Sequence, residues 1–305
     1  MKRIKAFGGL LKASFKGWQE DKASRLAAAL SYYTIFSLGP IIMLVLTILG
    51  FIYRDGSANR LFLTQVVGLV GESGGEVIQS VMEAASKPAA STWAAIISVV
   101  TAIIGSTGVF VQLKDSLNTV WGITEKRFHG LQGLVRVRAV SFTAIIVIGF
   151  LMLVSLFVST ALSAALALFG GDDLVQTIFL QIFNQAVSIG LITVLFAFIY
   201  KYLPDAKVAW RDVWIGALFT SVLFNIGKFL IGIYLGNSNV GSNFGAAGSL
   251  LVILVWVYYS AQLVLFGAEF TQAYSSRYGS RSLKEQTAEE DESENESPIE
   301  EKGQE

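Results

Sequence analysis

Polar and apolar positions along this chain alternate on the scale of whole helices. Long charge-free apolar runs are separated by short clusters of lysine, arginine and acid. A helix needs about 20 apolar residues to cross about 30 Å of hydrocarbon. Runs of that length predict six spans, at about 26–53, 93–113, 139–169, 176–200, 213–235 and 245–270. The last two form one run broken by Lys228 and by the glycine- and asparagine-rich stretch from Gly236 to Asn243. That stretch favours a turn with exposed backbone partners, so it divides the run in two. The ten-residue alternation of a membrane barrel is absent from the sequence, and the expected fold is all-α and polytopic.

Two flanking segments have other patterns. Ile4, Phe7, Leu11, Phe15 and Trp18 recur at helical spacing among lysines. Residues 1–25 therefore predict an amphipathic helix, lying either at the lipid surface or against loops of the same protein. Between spans one and two, the loop 54–88 shows two further helical patterns. One carries Leu61, Phe62, Val66 and Leu69, and the other Val77, Ile78, Val81 and Met82. Residues 275–305 form an acidic segment, with ten acids from Glu285 to Glu305 and too little apolar surface there to fold.

Composition narrows the chemistry. Of 305 residues, 53% are hydrophobic and 15% charged, against about 25% charged in soluble domains. The chain has no cysteine and one histidine, His129. Disulfide frameworks and thiolate metal sites are thus excluded, and a Ser-His or two-histidine metal site lacks its parts. No cofactor, metal or nucleic-acid partner is expected, and the chain reads as non-enzymatic. The 23 basic and 23 acidic residues balance, but nineteen of the 23 basic ones flank the even-numbered connections and the two termini. The positive-inside rule then places both termini in the cytoplasm and 54–88 outside.

Polar residues inside the spans are the candidate functional groups. Ser98, Thr101, Gly105, Gly108 and Gln112 share one face of span two, and Ser155, Ser159 and Ser163 one face of span three. Both patterns suit close helix packing. Span four carries Gln181, Asn184, Gln185 and Ser188, and span five Ser221, Asn225 and Lys228. Counting from the turn at Pro204 puts Gln181 level with Lys228, Asn184 and Gln185 with Asn225, and Ser188 with Ser221. Lys228 lies roughly 24 Å along span five at about 1.5 Å per residue, in the outer part of the bilayer. Two readings stand side by side. In one, Lys228, Asn225, Gln181, Asn184 and Gln185 line an outward-facing polar cavity that binds an anionic lipid or solute. In the other, the lysine snorkels and the amides hold two helices together. Glu269, late in span six, reads as an interfacial acid, and Pro40 as a kink in span one.

Several local strings carry a resemblance. They are Ser24 to Pro40 (SRLAAALSYYTIFSLGP), Leu117-Asn118-Thr119-Val120-Trp121, Tyr200-Lys201-Tyr202-Leu203-Pro204-Asp205, Val208-Ala209-Trp210-Arg211, Phe244-Gly245-Ala246-Ala247-Gly248 and Gly267-Ala268-Glu269. In this order and spacing the chain resembles the YihY/BrkB family of bacterial inner-membrane proteins, the UPF0761 type, over roughly Phe15–Tyr274. The resemblance implies a six-span inner-membrane protein. Some members were labelled ribonuclease BN, but the scattered acids and the single histidine here lack the clustered ligands of a metal-dependent nuclease. The functional expectation is a protein that transports or flips an anionic lipid or solute; the alternative is a non-catalytic scaffold of the cell envelope.

The orientation has a direct check, since no native cysteine interferes. Cysteines introduced at Ser73 and Ser238 are expected to label with a membrane-impermeant thiol reagent in intact cells, and one at Ser276 is not. Labelling at Ser276 with none at Ser73 would reverse the topology.

Overall fold

The computed structural model describes residues 2–52, 58–70, 72–85, 108–123, 173–237 and 248–280. Span three, most of span two, the link 238–247 and the acidic tail lie outside these residues. Every regular element among the described residues is an α-helix. In chain order they are α1 (Lys2–Glu20), α2 (Ala23–Ile52), α3 (Ala58–Val70), α4 (Glu72–Ala85), α5 (108–120), α6 (Asp173–Tyr202), α7 (Trp210–Asn237) and α8 (Gly248–Arg277).

Three of them are long and apolar enough to cross a membrane: α6 over Gln185–Tyr202, α7 over Trp210–Leu235 and α8 over Leu251–Arg277. The apolar helix α2, 30 residues long, runs through the expected first span and is helical on both sides of Pro40. Helix α8 continues seven residues past the expected end at Phe270, because Thr271, Ala273 and Ser275 are buried and keep the last turns packed. Along α7, Leu218, Val222, Ile226, Phe229 and Ile233 form an exposed apolar stripe at helical spacing. In water that stripe would be costly; against lipid it is the outer face of a span.

Helix α8 is the centre of the described bundle, packing against α7, α2 and α1, while α6 packs along α7. The core contains Ala27, Leu30, Leu117, Phe196, Tyr200, Val213, Ala217 and Leu265. Helices α3 and α4 pack on one another and on α2, with Phe62, Val66 and Met82 buried. Helix α1 turns back into α2 at Lys22, which takes a left-handed φ of 54°. Its apolar stripe is divided. Leu11 packs against the cluster of Leu10, Phe270 and Ala273, and half-exposed Phe7 meets the Phe219 and Phe270 rings edge-on, whereas Phe15 stays exposed. Part of the predicted lipid-facing stripe therefore packs on the protein's own helix.

The tightest crossing joins α7 to α8 through two reciprocal glycine–threonine pairs. Gly216 faces Thr271, and Gly267 faces Thr220. Each threonine hydroxyl folds back onto the carbonyl four residues earlier, Thr220 Oγ1 to Gly216 O and Thr271 Oγ1 to Gly267 O, both at 2.7 Å. Tyr200 of α6 closes the junction. Its hydroxyl donates to Val264 O at 2.7 Å and lies 3.1 Å from Thr220 Oγ1. A methyl group on Gly267 would stand 2.7 Å from the Tyr200 hydroxyl and 2.7 Å from Thr220 Cγ2.

Gly267→Ala is therefore expected to lower the detergent melting temperature, with a cost of about 1–3 kcal/mol from overpacking. Gly190→Ala on α6, where an added Cβ meets nothing within 4 Å, is expected to be neutral or to stabilise by about 0.5–1 kcal/mol. Equal melting temperatures for the two variants would contradict the close crossing.

Candidate functional site

The amide and lysine residues predicted on spans four and five fall on α6 and α7. Across this hairpin Gln185 Nε2 donates to Asn225 Oδ1 at 3.0 Å. Asn225 Nδ2 donates to Ser221 O at 2.9 Å, and Ser221 Oγ reaches Ile189 O at 2.9 Å. The Gln185–Asn225 level counted from the Pro204 turn thus meets in space. Lys228 is partly buried, one turn beyond Asn225 on α7. Ser188 Oγ is buried with no hydrogen-bond partner among the described residues. Gln181 and Asn184 belong to α6, but their side chains lie outside the described residues. The structure thus joins Gln185 to Asn225 directly, in a polar seam that is bonded between the two helices.

A second polar region, whose acids lie scattered along the sequence, lies at the opposite end of the hairpin. Lysines and arginines gather here, and so do the exposed aromatic residues Tyr202, Trp210 and Trp214. Trp210 stacks on Trp214 at 6.3 Å, and Lys201 Nζ lies 5.5 Å from the Trp210 ring centroid. Amphipathic rings and cations of this kind collect where a span meets water.

Three buried acids anchor this end, and each has a different solution to its charge. Asp205, just after Pro204, forms an ion pair with Lys114 Nζ at 2.9 Å. Asn118 clasps the same residue from two sides. Its Nδ2 donates to Asp205 Oδ2 at 3.1 Å, and its Oδ1 accepts from the Asp205 backbone N–H at 2.8 Å. Asn118 is available because α5 ends in a Schellman motif. Ile123 N–H bonds Asn118 O and Gly122 N–H bonds Thr119 O, both at 2.9 Å, with Gly122 at φ 65°.

Asp212 sits in the first turn of α7, where the helix dipole favours an anion. Its Oδ2 accepts from Ser275 Oγ at 2.8 Å, Ser280 N–H at 2.9 Å and Ser280 Oγ at 2.8 Å. The C-terminal end of α8 is thereby tied to the start of α7.

Glu269 of α8 is the third acid, only 3% exposed. It meets Asp21, in the α1–α2 turn, carboxyl to carboxyl. Gly17 of α1 comes so close that an added Cβ would overlap the Glu269 carboxylate. Glu269 Oε1 has no hydrogen-bond partner among the described residues. Burial raises the Asp21 carboxyl above its ordinary range; its hydrogen bond with Glu269 opposes the rise and the Glu20 charge adds to it. Glu269 faces a cavity of about 920 Å³ between α1, α8 and the end of α5. No group of three acid, histidine or cysteine side chains placed to hold a metal occurs among the described residues.

Comparison with known proteins adds a family. A sequence profile described as virulence factor BrkB matches residues 14–292. A UPF0761 membrane protein of Pseudomonas paraeruginosa is 28% identical over 253 residues, covering 81% of this chain and 58% of the relative. Another, from Psychrobacter, is 26% identical over 265 residues, covering 83% and 46%. A third, from Teredinibacter turnerae, is 26% identical over 287 residues, covering 92% and 65%. The chain therefore spans less than two thirds of the length of these curated relatives. No solved structure matches it.

The Lys114–Asp205 pair has a measurable consequence. Lys114→Met leaves a buried carboxylate without its cation, and is expected to destabilise by about 3–5 kcal/mol. Adding Asp205→Asn should recover part of that loss in thermal melts of the detergent-solubilised protein. A single variant as stable as the parent would show that the pair contributes nothing.

Proposed function

The chain belongs to the virulence factor BrkB family of membrane proteins, and from that premise we propose that it moves an anionic lipid or solute across a bacterial inner membrane. In this reading six spans cross the membrane with both termini in the cytoplasm. The cargo passes along the polar seam between α6 and α7. The observation that carries the reading is Lys228, a cation within a membrane-length helix and one turn from Asn225, whose amide already reaches Gln185. Charged residues at such depth are expensive and mark ligand or ion pathways more often than packing. Lys228 would meet the anionic group. Asn225 and Gln185 would exchange their mutual hydrogen bond for bonds to the cargo, with Gln181 and Asn184 continuing the same face of α6. The chemistry is binding and translocation, without a covalent step.

A second reading draws on the same hydrogen bond. Gln185 and Asn225 satisfy one another, as amides do when they hold membrane helices together. On that reading the protein is a scaffold, and Lys228 snorkels to the membrane surface.

Reconstituted vesicles separate the two. Fluorescent phosphatidylglycerol is followed by quenching of the outer leaflet. The transport reading expects faster flipping with the parent protein. It expects roughly a tenfold loss or more in Lys228→Met, about the worth of one charge-assisted contact. Lys228→Arg should keep part of the rate, since charge survives and geometry changes. If Lys228→Met flips lipid at the parent rate, or the parent does not flip it, the scaffold reading stands.

A further inference from the structure

Asp205 and Asp212 are met by a lysine, an asparagine, two serine hydroxyls and backbone donors. Glu269 is only 3% exposed and lines a cavity, and its Oε1, closed off from solvent, has no hydrogen-bond partner among the described residues. Its contact is a second carboxyl, Asp21, with Glu20 nearby. A buried, unmet carboxylate oxygen costs several kcal/mol unless a proton or cation reaches it.

Basic side chains line the same cavity: Lys12 and Lys16 of α1 and Arg277 of α8. Arg277 donates to Gly9 O at 3.1 Å, which holds α1 beside α8. Lys16 lies 3.5 Å from Glu20, but both side chains are largely exposed, so this pair is loose and can open to a ligand. The cavity thus has an acidic floor and a basic rim.

We propose that this cavity binds a zwitterion with an ammonium and a phosphate joined by a short linker, the ammonium against Glu269 and Asp21 and the phosphate against Lys12 and Lys16. An ammonium brings three donors, enough for the Asp21 carboxyl that lines the cavity and for the Glu269 carboxyl once its side chain turns toward it. It also separates two carboxyls that otherwise face each other. A phosphate offers oxygens to two lysines. A purely anionic group would set its charge against the floor, and a bare metal ion would find no group of three acid ligands among the described residues and a rim that repels it. The raised Asp21 carboxyl agrees with this. Its folded state favours the proton, so its contribution to stability is present at low pH and is lost as pH rises through the raised value. A bound ammonium restores that contribution at neutral pH.

Two sources share this chemistry: the headgroup of an ethanolamine phospholipid and free phosphoethanolamine. Phe15 is half exposed and lines the rim, stacked on Trp18 at 5.8 Å, where an acyl chain would pass. The site is remote from Lys228 and stands whether or not the α6–α7 seam carries cargo.

The test uses the full chain, stripped of lipid in detergent and offered equal phosphatidylethanolamine and phosphatidylglycerol. Native mass spectrometry reads the retained lipid, and calorimetry reads titration with phosphoethanolamine. A preference for phosphatidylethanolamine of roughly tenfold, about 1.4 kcal/mol, supports a lipid headgroup if Glu269→Gln abolishes it. Phosphoethanolamine binding without a lipid preference, again lost in Glu269→Gln, supports the soluble ligand. Asp21→Asn acts on the same floor and serves if Glu269→Gln melts early. Lys12→Gln should weaken phosphoethanolamine binding but spare that of ethanolamine alone. Equal lipid retention with no heat from phosphoethanolamine overturns the proposal. So does binding that survives both floor variants, or magnesium binding at this site in place of the zwitterion.

Discussion

Inside a bilayer, helices do not gain by hiding apolar surface from one another, because the surrounding lipid is as apolar as they are. Association then depends on how closely two backbones can approach. In this protein that constraint is met where α7 crosses α8. Gly216 and Gly267 remove side chains from opposite helices at two successive levels, and Thr271 and Thr220 fill the space each glycine leaves. The threonine hydroxyls cost nothing in hydrocarbon because each bonds a carbonyl of its own helix. Tyr200 can reach this junction only because the approach is close, and its hydroxyl then links α6 to the pair. The rest of the described bundle is arranged around this contact, with α8 presenting its other faces to α2 and α1.

Fixing α8 in this way determines what its last turns can do. Glu269 and Ser275 flank Thr271 on the same stretch of helix, so the crossing delivers one to the α1–α2 turn and the other to Asp212. The Lys114–Asn118–Asp205 clasp adds the end of α5 from a different direction. The basic end is therefore a polar junction of three connections rather than a set of independent surface loops. A cavity between α1, α5 and α8 is walled by elements that are each tied down separately.

Much of the membrane architecture was legible because hydrocarbon imposes a length and a polarity on any helix that crosses it. The apolar runs located α2, α6, α7 and α8, and the distance from Pro204 placed Gln185 level with Asn225, since two antiparallel helices leaving a short turn stay in register. Less legible were contacts between residues far apart in the chain. Asp205, Asp212 and Glu269 are single acids in sequence, with nothing at short range to show which donor each one meets. Asn118 lies 87 positions from Asp205, and Ser275 lies 63 from Asp212. Gly17 carries no signal of its own, yet its missing side chain is what admits α1 against Glu269. Helical periodicity identified α1 as amphipathic but could not divide Leu11 and Phe7, which pack toward Phe270 of α8, from Phe15, which stays exposed.

The two polar regions differ in how far the protein satisfies them itself. In the α6–α7 seam, Gln185, Asn225 and Ser221 each find a partner on the hairpin, so a cargo there must displace bonds already made. At the basic end, Asp205 and Asp212 are likewise complete, and they hold helices together. Glu269 departs from this pattern: it is buried beside Gly17 of α1, and the side chain it meets, Asp21, is a second carboxyl. A packing role would be served as well by an apolar side chain of similar size, without the cost of burying a carboxylate. An acid kept in that position, beside a second carboxyl and a cavity lined by lysines, gains more from a proton or a cation than an apolar side chain could.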